Sequence, residues 1–356
     1  MSLGDWWLTS SGTPGVIVCG GSGDSVLTAG ETLRHMGGET EVVVTQIPRI
    51  GEVDPGCWAP GARVVMVGLA VSKPDPQPTR DFLLALCAAG HRLVAVIDEH
   101  SACEWERALR EVGLDIDSLS VRPETQDGSP FRSAGSVLSC ALGDLSDPRG
   151  EALLEAADAC DRRQYRSNGL AWCVNAVLKA GRDDQARKAG LVRWLAGCAR
   201  TPELAAVEGR LESVVHWFGD PDGRDAEVLT WVREYGPLER EHGRILEARR
   251  DEGDGIVSFE IQSEVDMTVL TQALYEQGAR VVLFEGEFFD RAEQRTVRKI
   301  GLGADDRGLN LFKALRAGGV HATGYSRKPF LPLEDGLRAL EIIREYLRAR
   351  PPVTAS

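Results

Sequence analysis

Short apolar segments alternate with helix-like segments over the first hundred residues of this 356-residue chain. Four of them have the length and composition of buried strands, namely Val16–Cys19, Glu41–Val44, Arg63–Val67 and Leu93–Ile97. Helices are predicted from about Thr28 to Met36 and from about Arg80 to Ala89, and a glycine follows each. This alternation predicts βαβ units, and therefore a doubly wound, mostly parallel sheet with helices on both faces.

The rest of the chain divides into a helical segment and a second α/β segment. Residues 132–250 are predicted to be almost wholly helical, ending in a highly charged helix over about 238–250. From Gly255 a strand, a helix and a second strand are predicted again. The sequence therefore predicts a first α/β domain over 1–240, a helical linker over 241–254 and a smaller α/β domain over 255–356.

Composition limits the classes of partner. A net charge of −13 argues against broad nonspecific binding to duplex DNA, because affinity for phosphates comes from clusters of Lys and Arg. It leaves a local basic groove open, and since most of the 41 basic residues are arginines, guanidinium groups are expected to make the anion contacts. No apolar run approaches the roughly 18 residues that span a bilayer, and the N-terminus lacks a leader pattern. We expect a cytoplasmic protein with no membrane partner.

The cysteines indicate a reducing environment. All eight precede residue 199, and none belongs to a CxxC pair. Most lie in apolar, helix-like or strand-like surroundings. This usage is typical of reduced, buried thiols and disfavours a disulfide framework or a zinc ribbon.

Three polar residues with metal-binding chemistry, Asp98, Glu99 and His100, follow the fourth predicted strand. In open α/β sheets, ligands bind in the crevice outside the carboxyl ends of the strands. The triplet therefore predicts a ligand site. The alternative is a strand that simply ends in a solvated turn.

Further short motifs occur at intervals along the chain. A Gly-rich turn with Ser22 and Asp24 follows the first strand, and a Ser-Ala pair and a helical acid follow the triplet, at Ser133-Ala134 and Asp161. Near the C-terminus, the strand-like segment Arg295–Arg298 precedes a Gly-Gly-Val-His turn at 318–321. In order and spacing, these motifs resemble those of the DHH phosphoesterase superfamily, which includes RecJ-like exonucleases, phosphodiesterases of nano-RNA and cyclic dinucleotides, and family II pyrophosphatases.

The resemblance spans about residues 14–330 and implies a function as well as a fold. It implies a DHH-like domain, a helical connection and a smaller DHHA1-like domain, with a phosphate-binding cleft between the domains. In the DHHA1-like domain it assigns substrate contacts to Arg298, Gly318, Gly319 and His321. In the family, two manganese-like ions hold a bridging hydroxide that attacks phosphorus.

The chain departs from the family pattern at one of the two ions. Val18, Ser22 and Gly68 stand where the resemblance places the protein ligands of the first ion, and Val and Gly have no ligating side-chain atom. For the second ion, Asp24, Glu99 and Asp161 could each supply an oxygen, which suits Mn²⁺ or Mg²⁺ better than zinc. The resemblance therefore implies one ion at most.

The remaining residues of the triplet receive roles as well. His100 takes the position that faces the substrate phosphate in the family, and Asp98 is expected to orient its neighbours through hydrogen bonds to backbone amides.

Structural alternatives stay open for several of these residues. Asp24 has the chemistry of a helix N-cap, and Asp161 lies among arginines that could form a surface ion pair with it. His321 follows two glycines, so it could be a plain turn residue. We favour an anion-binding turn there, because glycines let backbone N–H groups approach a phosphate closely.

Two functions remain open. One is a non-hydrolytic relative that binds single-stranded or short nucleic acid, or a nucleotide, or a protein partner. The other is a phosphodiesterase or exonuclease active with Mn²⁺. A dinucleotide-binding Rossmann domain is disfavoured, because Val26 stands where the last glycine of its fingerprint belongs.

Overall fold

A computed structural model describes residues 13–37, 39–100, 102–123, 133–182, 184–197, 207–218, 222–223, 225–290, 295–305 and 308–350. The chain forms two compact units, residues 1–235 and residues 236–356. Within the described ranges, no helix combines the length and the apolar character needed to cross a membrane.

A four-stranded parallel sheet forms the centre of the first unit. Its strands are β1 (Gly15–Gly20), β2 (Thr40–Thr45), β3 (Arg63–Val67) and β4 (Arg92–Ile97), in the order β2-β1-β3-β4. The chain moves from β1 to one neighbour and then crosses back to the other, so the strand order reverses between β1 and β3. The predicted doubly wound parallel sheet is thus confirmed, and its switch point lies between these two strands.

Helices of the first unit follow the predicted pattern closely. They are α1 (Gly23–Met36), α2 (Gln77–Ala88), α3 (Ala102–Glu111), α4 (Ala134–Leu142), α5 (Pro148–Asp161), α6 (Gly169–Ala180), α7 (Gln185–Gly197), α8 (Leu211–Trp217) and α9 (Ala226–Arg233). Short 3-10 turns occupy Ile47–Glu52, Pro55–Cys57, Ile116–Ser118 and Gly143–Leu145. The start predicted for α1 at Thr28 is wrong, because Ser22 adopts an extended cap conformation and the helix begins directly after it.

Different helices cover the two faces of this sheet. α1 packs against β1, α5 and α7, while α2 packs against α3 and β4. Val16 and Val18 of β1 share a core with Phe82 of α2 and Trp105 of α3. Ile17 is also fully buried, and alternate strand residues point to opposite faces, so both faces are apolar. This explains why the strands are continuous apolar runs in the sequence.

The second unit contains a six-stranded mixed sheet. It begins with helix α10 (Gly236–Ala248), and its strands are β5 (Arg250–Gly253), β6 (Ile256–Glu260), β7 (Val281–Asp290), β8 (Arg295–Ala304), β9 (Thr323–Tyr325) and β10 (Lys328–Leu331). The strand order is β5-β6-β7-β8-β10-β9. Helices α11 (Met267–Glu276), α12 (Leu311–Ala317) and α13 (Gly336–Arg348), with a 3-10 turn at Leu333–Asp335, complete the unit. The segment 241–254, predicted as a helical linker, contains the end of α10 and the strand β5.

The cysteines are less buried than their sequence surroundings suggest. Cys19, Cys160 and Cys173 are buried free thiols, as predicted. Cys57, Cys87, Cys103 and Cys140 are exposed, so the prediction of burial is wrong for them, and Cys198 lies outside the described residues. The apolar neighbours of these four lie on the buried side of amphipathic turns and helices, while the cysteines face solvent.

Candidate metal and phosphate site

The carboxyl ends of three strands meet at one edge of the first sheet. The backbone N–H of Gly68, directly after β3, donates to the carbonyl of Ile97 at the end of β4 (2.8 Å). A Cβ built on Gly20, at the end of β1, would lie 2.6 Å from the carbonyl oxygen of Gly68. The Gly-rich turn after β1 and the triplet after β4 therefore flank the same point, beside the switch point where ligands bind in such sheets.

Asp98 is the buried centre of the triplet. Its Oδ1 lies 2.8 Å from Nδ1 of His100, and its Oδ2 accepts a hydrogen bond from Nε1 of Trp105 (2.7 Å). The backbone N–H of His100 reaches Oδ1 only at 3.4 Å. Asp98 thus orients its neighbours through two side chains, in addition to the longer hydrogen bond from the backbone amide of His100. Trp105, which no motif marks, fixes the carboxylate from α3.

His100 is held by carboxylates on one side of its ring. Nδ1 lies 2.8 Å from Asp98 Oδ1 and 3.2 Å from Glu99 Oε1, and the side chain is 57% exposed. The hydrogen bond to Asp98 raises the pKa of the imidazole, and the charges of Asp98, Glu99 and Asp24 add to the rise. His100 is therefore oriented and favoured as a cation, which suits contact with a phosphate.

Glu99 is largely buried, with 14% of its side chain exposed. Among the described residues, its Oε2 finds no hydrogen-bond partner. Burial raises the pKa of Glu99, and the charge of Asp24 raises it further. An orphaned carboxylate oxygen beside a second acid is destabilising unless a cation neutralises it, so this position fits a metal ligand.

Asp24 lies in the first turn of α1 and is buried. The cap position belongs to Ser22, so the N-cap alternative for Asp24 is wrong. Burial raises the pKa of Asp24 although Ser22 donates a hydrogen bond to it, and the charge of Asp161 contributes to the rise. The two acids are brought together by α1 and α5, since a Cβ on Gly23 would lie 2.7 Å from Sγ of Cys160.

Asp161, the last residue of α5, is exposed. The sequence left open an ion pair between Asp161 and a neighbouring arginine. Arg162 pairs with Asp158 instead, at 2.6 Å, and Ser133 donates a hydrogen bond to the same carboxylate (3.0 Å). Within the described part of the chain, Asp161 itself makes no ion pair. Burial and the charge of Asp158 raise the pKa of Asp161, and the charge of His100 opposes the rise.

These residues fit one hard divalent cation. The charge of Asp24 acts on Glu99 and that of Asp161 acts on Asp24, and carboxylates are donors that suit Mn²⁺ or Mg²⁺. Ligand atoms of Asp98, Glu99 and His100 also lie within 4.8 Å of one another. We assign Asp98 an orienting role all the same, because both of its oxygens are already engaged.

The position of a first ion does not fit a metal. Val18 is fully buried in the core, and the hydroxyls of Ser22 and Ser25 are 2.6 Å apart. Gly68 has a φ of +59°, and a Cβ there would lie 1.9 Å from Oγ of Ser25. A carboxylate at residue 68 therefore has no space, because Ser25 fills it. Nothing in the sequence motifs marks Ser25, which lies in the first turn of α1.

Lys188 is a second residue that the motifs do not mark. It lies in α7 and is only 4% exposed, and its Nζ donates to the carbonyl of Arg182 (2.7 Å). A Cβ on Gly21 would lie 3.2 Å from this ammonium. The glycine turn after β1 therefore has a buried positive charge beside it. A lysine on the apolar face of a predicted helix is the signal that could have identified it.

Arg298, in the second unit, is paired with two acids. Its Nη2 lies 2.5 Å from Glu260 and its Nε 2.6 Å from Glu285, and the side chain is 49% exposed. The charge of Glu285, with the hydrogen bond between them, raises the pKa of Arg298. To bind Arg298, a ligand phosphate would have to displace at least one of these carboxylates.

The Gly318–His321 turn caps the C-terminus of α12. The backbone N–H groups of Gly318, Gly319 and Val320 donate to carbonyls of α12 at 2.9–3.1 Å, and Gly319 has a φ of +78°. These are the bonds of a helix C-cap, so these three amides do not point at an anion as expected. His321 is exposed directly after them. Its role as a substrate contact, which the resemblance implies, stays a prediction.

Comparisons with known proteins bear on the fold. No family model matches the chain, and no curated protein matches its sequence. Among solved structures, a pGpG-specific phosphodiesterase, PggH from Vibrio cholerae, superposes with a TM-score of 0.53 at 12% identity, over 95% of this chain and 100% of that one.

Two further structures show weaker similarity. RecJ from Thermus thermophilus in complex with Mn²⁺ has a TM-score of 0.44 at 12% identity over 97% of this chain, which spans 54% of RecJ. A DHH domain from a member of the s1p family of ribosomal proteins has a TM-score of 0.45 at 13% identity, over 95% of this chain and 87% of that one. Over 95% of its length, then, this chain shares the fold of PggH, a DHH/DHHA1 phosphoesterase-like fold.

Proposed function

We propose that this protein binds the phosphate groups of a nucleotide or of short single-stranded nucleic acid, with one Mn²⁺ or Mg²⁺ at most. Hydrolysis is lost or strongly reduced. The observation that carries this proposal is the contact between Gly68 and Ser25, because it fills the place where a bridging carboxylate would stand.

A single ion cannot form the two-metal clamp. Two ions roughly 3.5–4 Å apart stabilise both the attacking and the leaving oxygen and hold the hydroxide between them. With Val18, Ser22 and Gly68 at the first position, that hydroxide has no second ion to bridge. Without a second ion, the transition state lacks several kcal/mol of stabilisation, which lowers the rate by orders of magnitude.

Phosphate binding is supported by the groups that survive. A cation at Asp24, Glu99 and Asp161 would neutralise the carboxylates and coordinate a phosphate oxygen, and His100 would donate to a second oxygen. PggH, which shares the fold, is described as specific for pGpG, and RecJ carries Mn²⁺. A 5′-phosphorylated dinucleotide is therefore a sensible first ligand.

The second unit contributes side chains in this proposal. Arg298 contacts a ligand phosphate by exchanging one of its two acidic partners, and exposed His321 donates from the turn that Gly318 and Gly319 shape. Because the turn amides serve the helix cap, the imidazole and the guanidinium would make these contacts.

The alternative is an active phosphodiesterase dependent on Mn²⁺. One observation favours it: Asp98 is fully buried and lies 2.8 Å from the ring of His100, and burying a carboxylate is costly in a merely structural turn. A single-ion mechanism would then have to activate water with the ligands of the second ion alone.

One experiment separates the two functions. The purified protein is titrated with pGpG, short RNA and short DNA in Mn²⁺ by calorimetry, and the same mixtures are analysed for mononucleotide products. We expect binding of at least one ligand and little or no product. Robust turnover that Asp24→Ala abolishes would support the phosphodiesterase, and absence of binding to every ligand would refute both functions.

A further inference from the structure

Arg163 adopts a backbone conformation that residues with a side chain rarely adopt. Its φ is +61°, and among the described non-glycine residues only Asp254 shares a positive φ. The amides of Arg163 and Gln164 donate to carbonyls in the last turn of α5, at 3.1 and 2.8 Å. These bonds form the helix cap in which glycine is favoured at the position of Arg163. An arginine there is strained where a glycine would not be.

The side chain of Arg163 has no structural task that explains this strain. It is exposed and, among the described residues, makes no side-chain hydrogen bond or ion pair. A cation at a helix C-terminus is favoured by the helix dipole, but Arg162 supplies one at the preceding position. Arg162 also pairs with Asp158 at 2.6 Å, without a positive φ.

Arg163 stands beside the acidic site. It follows Asp161 by two residues, and the contact of Cys160 with Gly23 joins this end of α5 to the first turn of α1.

The charge balance of the site requires a further cation. Asp98 and the three proposed ligands carry four negative charges against one divalent ion and a cationic His100, which leaves a net negative charge that repels a phosphate. In a two-ion site the other metal supplies the missing charge, and here that position is closed by Ser25. A guanidinium is suited to the task because its planar fork binds two phosphate oxygens at once.

We propose that Arg163 binds a phosphate group of the ligand at the site of Asp24, Glu99 and Asp161, and so replaces part of the charge of the absent first ion. This inference rests on the proposed function. It adds a phosphate-binding residue that lies outside every sequence motif singled out above.

The test uses substitutions that relieve the strain while removing the charge. Arg163→Gly and Arg163→Asn both suit a left-handed cap, so the melting temperature should stay unchanged or rise. The affinity for pGpG in Mn²⁺, measured by calorimetry, should fall about tenfold or more. Asp254→Gly is the matched control, because it relieves the same strain in the turn between β5 and β6 and should leave affinity unchanged.

The outcomes separate this inference from the proposed function. Binding of pGpG by the wild-type protein that persists unchanged in both variants overturns the role of Arg163 alone. A clear fall in melting temperature for both variants assigns Arg163 a structural role and also overturns it. Failure of the wild-type protein to bind pGpG, short RNA or short DNA overturns the proposed function and the inference together.

Discussion

The hydroxyl of Ser25 occupies the space that any side chain at residue 68 would need, since a Cβ on Gly68 would lie 1.9 Å from it. Ser25 Oγ also lies 2.6 Å from the hydroxyl of Ser22 and 3.3 Å from the carbonyl of Gly68, to which it donates. At this position the packing of Ser25 therefore adds to the lack of ligands that the proposed function assumes. One substitution at residue 68 should not create a metal site.

Gly68→Asp should fail to create a second metal site. The new side chain would clash with Ser25 and would hold a positive φ, so we expect a loss of about 2–4 kcal/mol in the free energy of unfolding. Gly61→Asp is the control, because Gly61 has a φ of +71° and nothing within 4 Å of its Cβ position. In Gly61→Asp, the free energy of unfolding should fall only by the backbone strain of about 1 kcal/mol. Denaturant unfolding measures both, and a stable Gly68→Asp protein with extra bound Mn²⁺ would refute the closure.

Trp105→Phe should weaken ligand binding through His100. The substitution keeps a ring in the core but removes the N–H that holds Asp98 Oδ2 at 2.7 Å, leaving a buried oxygen unpaired at a cost of about 1–3 kcal/mol. With Asp98 released, the imidazole loses its fixed orientation, and affinity for a phosphorylated ligand should fall severalfold.

A second tryptophan supplies the control for this effect. Trp194 donates from Nε1 to Asp225 (3.0 Å), and both residues are buried away from the triplet's hydrogen bonds. Trp194→Phe should cost similar stability and leave affinity unchanged. NMR of the His100 ring would report the difference directly: its signals should shift in Trp105→Phe and not in Trp194→Phe. If both substitutions lowered affinity equally, the effect of Trp105→Phe would be due to lost stability and not to a changed orientation of His100.

Stability should fall at acid pH through Glu241 of α10. Hydrogen bonds from Arg244 (2.7 Å each), and a further one from the backbone of Gln262, lower the pKa of this buried carboxylate to about 2. A carboxylate whose pKa is lower in the folded than in the unfolded protein stabilises the fold at pH values above the unfolded pKa. This stabilisation is lost as the pH falls toward the folded pKa. We expect about 1–3 kcal/mol to be lost between about pH 4.5 and pH 2. Glu241→Gln should remove this part of the pH dependence in urea unfolding; an unchanged profile would contradict the assignment.

The fold could be predicted from the sequence because its signals are local. Three apolar runs that are buried on both faces, at β1, β3 and β4, and the half-buried edge run of β2 indicate parallel strands without knowledge of what packs against them. The predicted start of α1 is misplaced because a Gly-Ser run is typical of a turn, while Ser22 serves as a helix cap. Residues in the motifs, such as Glu99, can be identified because they follow a strand end.

The rest of the site depends on contacts between distant segments. Ser25 contacts Gly68, which is 43 residues away in the sequence. No local sequence pattern predicts that Ser25 would clash with a side chain at residue 68, because only the folded sheet brings the two together. The acidic partners of Arg298 (β8) lie on two other strands, Glu285 on β7 and Glu260 on β6, so its pairing could not be predicted from its own segment. The cap geometry of Gly319 likewise depends on where α12 ends.

The number of Mn²⁺ ions bound per chain tests the central claim most directly. Equilibrium dialysis followed by elemental analysis should give one ion at most, because Val18, Ser22 and Gly68 offer no ligand set for a first ion and Asp24, Glu99 and Asp161 are the ligands proposed for the second. Asp161→Asn should remove that ion, while Asp158→Asn, which alters an acid already paired with Arg162, should retain it. Two tightly bound ions per wild-type chain would contradict the account.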